Sequence, residues 1–227
     1  MIEVLIIYGG DSVESEISAQ SANGILKNID QSRFTPSLIN IKDLKIDSIK
    51  KDAVVFIAVH GSGGEDGETQ KLLATNGIKF TGSDASSARL CWDKISSKAL
   101  MEKNKIPTPP YKVIKKDEKF DLNGQFFLSR ENFFVKPNSN GSSFGVSKVT
   151  DINLLDDAIE EARKFSDDVI IEEAYNSAEY TVGILKGEAL EPLEIIANDH
   201  KGFYDYQAKY LSKKTNLESS GEGTHEQ

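Results

Sequence analysis

The chain opens on an apolar run, Glu3 to Tyr8, rich in Ile and halted at Gly9-Gly10. An unbroken apolar run closed by a turn signal reads as a buried strand. No basic leader precedes it and no small-residue cleavage site follows, so the segment is read as a fold element rather than a targeting signal. Helical spacing comes next, with Ala22, Ile25, Leu26 and Ile29 on one face, and Asp11 and Ser12 are placed to cap that helix. Phe34 to Ile41 and Ala53 to Val59 are further strand candidates, the second stopping at His60-Gly61. Strand, helix, strand, strand with turn glycines predicts an α/β domain over residues 1–85.

Beyond it, Ser86 to Lys103 reads as one helix ended by Pro107 and Pro109-Pro110, which form a candidate hinge. Cys91 and Trp92 fall in this helix and are expected in the core. Phe133 to Val135 is a strand entering the Gly/Ser segment Asn138 to Gly145. Leu155, Ala158, Ile159 and Ala162 mark an amphipathic helix, with Glu160 and Lys164 paired four residues apart. Val169 to Glu172 is another strand, and Tyr180–Leu185 with Leu190–Ala197 an antiparallel pair. The Gly/Ser/Glu-rich end, Glu218 to Gln227, is expected to be disordered.

Charge and cysteine content narrow the functional classes. The net charge of -9 opposes a nucleic-acid or anionic-membrane partner. No run approaches the roughly 20 apolar residues of a membrane span. A single cysteine excludes an internal disulfide and suits a reducing cytoplasm.

Five segments could carry chemistry, and each has an ordinary alternative. Lys136 followed by Asn138 to Gly145 places a cation, two serines and flexible backbone where phosphate could be cradled, although neither a Walker loop nor a dinucleotide fingerprint is present. The alternative is a solvated loop. His60 to Gly67 follows a strand, where α/β sheets place ligands, or is a turn with a hydrogen-bonded histidine. Glu14 stands in the first turn of a helix and, taken alone, is a surface acid favoured by the helix dipole. Glu172 and Glu179 flank a strand–loop–strand segment. Phe203 to Tyr210 is an aromatic segment carrying Lys209, read by itself as tyrosines packed with satisfied hydroxyls.

In this order the segments resemble the D-alanine–D-alanine ligase family of ATP-grasp enzymes. The resemblance rests on GGDSVESEIS (Gly9 to Ser18), HGSGGEDG (His60 to Gly67), FTGS (Phe80 to Ser83), DKISSK (Asp93 to Lys98), FVKPNSNGSSFGVSKV (Phe134 to Val149), IIEEAYNSAEYTVGIL (Ile170 to Leu185) and FYDYQAKYL (Phe203 to Leu211). It implies an α/β (α+β) ATP-grasp fold. Residues 1–85 would form the α/β substrate domain, 86–168 the central ATP-grasp subdomain and 169–227 part of the C-terminal one. It implies ATP and D-alanine as ligands, Mg²⁺ as cofactor, a homodimer through the N-terminal domain, and a cytoplasmic role in peptidoglycan synthesis.

Residue by residue, the resemblance implies that Lys94 and Lys136 contact ATP phosphates. The loop bearing Gly141, Ser142 and Ser143 would cover them. Glu172 would lie beside adenine, with Glu173 to Tyr175 as the hinge and Glu179 on the ribose. Glu14 would hold the ammonium of the first D-alanine and His60 its carboxylate, with Tyr204 in the closing lid over the substrate. Ser142 and Tyr210 would link to Glu14, and Lys209 would contact the transferring phosphate. Tyr210 also favours D-alanine over D-lactate as second substrate. The Asp, Glu and Asn that hold two Mg²⁺ ions in the family have no counterpart up to Gln227, so these 227 residues alone are expected to show negligible ligase activity.

Overall fold

The computed structural model describes residues 1–118, 125–197, 207–212 and 215–219. Strand β1 (Ile2–Tyr8) is followed by helix α1 (Ser15–Asn28), β2 (Phe34–Asn40) and β3 (Val54–Ile57). Then come α2 (Glu68–Thr75) and β4 (Lys79–Phe80). These four strands form a parallel sheet ordered β2-β1-β3-β4. Successive β1 side chains point to opposite faces. Val4 and Ile6 pack with Ala22, Ile25 and Leu26 of α1, whereas Leu5 and Ile7 pack with Val55, Leu73 and Ile78. Helical layers on both faces explain why β1 is apolar at every position from Val4 to Ile7.

The chain leaves β1 toward β2 on one side and returns to β3 on the other. That reversal opens a crevice at the carboxyl ends of β1 and β3, the usual ligand position in such sheets. Gly9, Gly10 and His60 stand there. Ser12, expected to cap α1, instead donates from Oγ to the His60 carbonyl (2.8 Å) and accepts from the Glu14 N–H (3.2 Å). Asp11 pairs with Lys42, and Glu14 occupies the helix-cap position without a side-chain capping bond.

The single helix expected over Ser86–Lys103 is two helices, α3 (Ala85–Trp92) and α4 (Lys94–Lys103). The break is Asp93, whose extended backbone (ψ 103°) stops α3 while its carboxylate caps α4 by accepting from Ser96 N at 2.7 Å. Cys91 is exposed rather than in the core.

A second sheet, all antiparallel, is ordered β5 (Tyr111–Ile114), β8 (Val169–Glu173), β6 (Phe133–Pro137), β7 (Ser147–Val149). The expected division at residue 169 falls on β8, whose pairing places it inside this sheet. Phe133, Val135, Val169 and Ile171 face the core with Leu155, Ala158, Ile159 and Ala162 of α6 (Leu155–Arg163) and Phe127 of the short α5 (Gln125–Leu128). Burying each such side chain contributes about 1.5–3 kcal/mol. Arg163 pairs with Glu160 and Lys164 with Glu161, three residues apart, in place of the expected Glu160–Lys164 pair.

A third sheet is ordered β13 (Thr215–Ser219), β12 (Leu193–Ala197), β9 (Glu179–Thr181). The strand expected over Tyr180–Leu185 is cut short, because Ile184–Leu185 (β10) turns back on Glu188–Ala189 (β11) as a hairpin. Glu218 lies in β13, paired with Glu194, not in a disordered tail. Ser219 ends the same strand, and residues 220–227 lie outside the described residues.

Candidate active site

Alternation in the second sheet builds the first wall of the site. With Phe133, Val135, Val169 and Ile171 committed to the core, Phe134, Lys136, Ile170 and Glu172 must emerge on the opposite face. Phe134 stands directly across from Glu172 and Lys136 from Ile170. Lys136 reaches diagonally to Glu172 as an ion pair. On that face lies a cavity of about 700 Å³, lined among others by Lys94, Lys136, Lys209, Ser143, Glu172 and Glu179. Its size is that of a nucleotide-scale ligand site. Glu173 and Tyr175 border it too, with Glu173 paired to Arg130 (3.0 Å) and accepting from the Tyr175 hydroxyl (3.2 Å).

Four lysines, Lys94, Lys136, Lys148 and Lys209, line this cavity with three carboxylates, Glu172, Glu173 and Glu179. Lys94 is pushed down to about 8 by burial, with the Lys209 charge adding to the shift against Asp93. Lys136 also falls to about 8, through burial first and then the charges of Lys98, Lys94 and Lys209. Glu172 stands beside Lys136 but is shared with Lys98 (2.7 Å), so one carboxylate serves two ammonium groups. Around this carboxylate positive charge is in excess, which favours an anionic ligand.

The glycine-rich segment closes the cavity toward the first domain. Lys94 Nζ donates to the Asn140 carbonyl at 2.8 Å, and Asn138 bonds both the Ile95 N–H (2.9 Å) and the Asp93 carboxylate (2.9 Å). The loop base is therefore fastened to the start of α4. Ser142 and Ser143 have φ of 50° and 62°, a left-handed backbone that costs a non-glycine residue about 1–2 kcal/mol. Side-chain bonds hold this strain. Lys209 Nζ donates to Ser143 Oγ (3.0 Å), and Ser142 Oγ donates to the Glu14 carboxylate. Because the Ser142 proton is spent on Glu14, the Tyr210 hydroxyl must be the donor to Ser142 Oγ at 2.9 Å. Phe144 rests against Phe165, ring centroids 6.2 Å apart.

Glu14 is 2% exposed, so the reading of it as a surface acid is overturned. An ionised carboxylate this deep needs donors, and the loop supplies one from 128 residues away. Glu65 lies beside it: a Cβ built on Gly141 would sit 3.3 Å from both carboxylates. Burial, then the Glu14 charge, pushes the Glu65 carboxyl up. His60 Nε2 bonds Ser21 Oγ at 3.0 Å on the same side. Two acids and an imidazole facing a serine–tyrosine relay suit a small ligand bearing an ammonium group. Glu65 and Lys98 lay within quoted motifs, yet nothing local in the sequence gave them a role; only their neighbours in space do. Tyr204 lies outside the described residues.

The family model described as D-ala D-ala ligase C-terminus matches residues 100–227, more than half of the chain. The chain belongs to the D-alanine–D-alanine ligase family. A D-alanine–D-alanine ligase of Methylacidiphilum infernorum is 38% identical over 207 residues, covering 91% of this chain and 65% of the relative. The crystal structure of D-alanyl-alanine synthetase A from Vibrio cholerae superposes with a TM-score of 0.82 at 26% identity, covering 97% of this chain and 75% of that one. The Bacillus anthracis D-alanine–D-alanine ligase complexed with ATP gives 0.79 at 28% identity, covering 96% and 70%. The fold is that of the D-alanine–D-alanine ligases, an ATP-grasp architecture, and the chain spans about two thirds to three quarters of the length of these relatives.

Proposed function

We propose that the chain carries the nucleotide site and the first amino-acid site of an ATP-dependent D-alanine–D-alanine ligase serving cytoplasmic peptidoglycan synthesis. The observation that carries this reading is the hydrogen-bond relay from Tyr210 through Ser142 to Glu14 at the rim of the lysine-lined cavity. The relay lets one loop touch both a polyphosphate and an amino-acid ammonium.

In this reading Lys94 and Lys136 bind ATP phosphates, with backbone N–H groups of Gly141, Ser142 and Ser143 above them. Glu172 and the Glu173–Tyr175 segment face the base, and Glu179 faces the ribose. The first D-alanine lies with its ammonium toward Glu14 and its carboxylate toward His60 and the γ-phosphate. Its carboxylate oxygen attacks that phosphorus and ADP leaves, giving an acylphosphate. The amine of a second D-alanine then attacks the acyl carbon, phosphate leaves and the dipeptide forms. Catalysis of phosphoryl transfer is chiefly positioning and charge stabilisation, which Lys209 and the loop supply. The same loop shields the acylphosphate from water.

Magnesium would supply counter-charge to the phosphates in this chemistry, but among the described residues no group of three or more His, Cys, Asp or Glu side chains converges as metal ligands. A homodimer through the first domain and the absence of nucleic-acid partners complete the proposal. Among the described residues, no helix is long and apolar enough to cross a membrane. Calorimetric titration tests the reading. D-Alanine should bind more tightly in the presence of a non-hydrolysable ATP analogue, and Glu14→Gln should abolish that coupling. Coupling unchanged by Glu14→Gln would refute it.

A further inference from the structure

We propose that Lys98 is a positioning residue of the nucleotide site: it holds the buried Glu172 carboxylate by itself, so that Lys136 is free to turn from that carboxylate to a phosphate group. The inference rests on reading the 700 Å³ cavity as an ATP site.

Lys98 is 8% exposed, and its ammonium makes one ion pair and two hydrogen bonds. Nζ lies 2.7 Å from Glu172 Oε2 and donates to Thr108 Oγ1 (2.7 Å) and to the Pro109 carbonyl (3.1 Å). The Tyr111 ring lies 4.8 Å away, presenting its π face to the charge. This ammonium cannot move without stranding several acceptors at once. Lys136 differs. It pairs with the other oxygen, Glu172 Oε1, its side chain is 27% exposed against 10% for Lys98, and it borders the cavity.

Two ammonium groups on one buried carboxylate leave a surplus charge that an arriving polyphosphate would neutralise. When Lys136 swings to the phosphate, Glu172 keeps a partner only because Lys98 is there. Without Lys98, each nucleotide bound would leave a buried carboxylate unpaired, an expensive state. Lys98 thus makes the movement of Lys136 affordable without touching the ligand itself.

The test is a double-mutant cycle read by calorimetric titration with ATP. Lys98→Met should weaken ATP binding about tenfold or more in the wild-type background. In the Glu172→Gln background, where no carboxylate remains to be stranded, the same substitution should cost less than about twofold. Equal losses in both backgrounds would mean that Lys98 only ties the Thr108–Pro109 segment in place, and would overturn the proposal. Should Lys98→Met fail to fold, Lys98→Gln keeps a donor toward Thr108 and Pro109 without the charge and reads the same cycle. No ATP binding by the wild-type chain would overturn the nucleotide reading itself, and this inference with it.

Discussion

Lys94 and Lys136 share a property that sets a pH signature. Burial, which disfavours the charged form, pushes both down to about 8. A bound polyphosphate favours the ammonium and raises both values. Affinity is therefore full below the free-site value and falls as pH rises through about 8, by up to about tenfold per pH unit for each lysine. Titrations with ATP at pH 7, 8 and 9 should follow that slope in the wild type, and a flat profile would contradict the assignment. Glu14 makes a second case at this scale. Ser142→Ala removes a donor from a carboxylate that is 2% exposed and should destabilise the fold by about 1–3 kcal/mol in denaturant melts. Tyr210→Phe leaves the Ser142–Glu14 bond intact and should cost less.

Among the elements, the glycine-rich loop depends on its second glycine. Gly145 has φ +69°, and a Cβ there would meet Phe165 Cδ2 at 2.5 Å. Gly145→Ala should destabilise by about 1–2 kcal/mol, seen as a melting temperature lower by roughly 2–8 °C. Combined with Phe165→Ala, part of the penalty should vanish, since the ring is what the methyl group strikes. Strand β1 and helix α6 could be read directly from the sequence, because each buries a pattern of its own: a continuous apolar run for β1 and apolar residues three and four apart for α6. The division of α3 from α4 could not. Asp93 breaks and caps there because its carboxylate also receives Asn138 from the loop, a contact across 45 residues. Asp93→Ala should cost about 1 kcal/mol and loosen the loop base, which hydrogen exchange at Asn138 and Asn140 would register.

Across the whole molecule, the site is a meeting of two units: the carboxyl end of a parallel sheet supplies Glu14 and His60, and an antiparallel sheet supplies Lys136 and Glu172. Much of the site could be named from ordered motifs, because their residues lie at strand ends and in one loop. The depth of Glu14, the closeness of Glu65 and the pairing of Lys98 with Glu172 were hidden, since each is created by segments far apart in the chain. In the proposed function the lysine-lined cavity binds ATP through its phosphates. Calorimetric titration of ATP against the wild type and Lys94→Met/Lys136→Met tests it most directly. Each lost charged contact is worth about 1.5–3 kcal/mol, so the expected result is wild-type binding and a loss in the double variant of at least about a hundredfold. Undiminished affinity in a folded double variant, or no binding by the wild type, would contradict it.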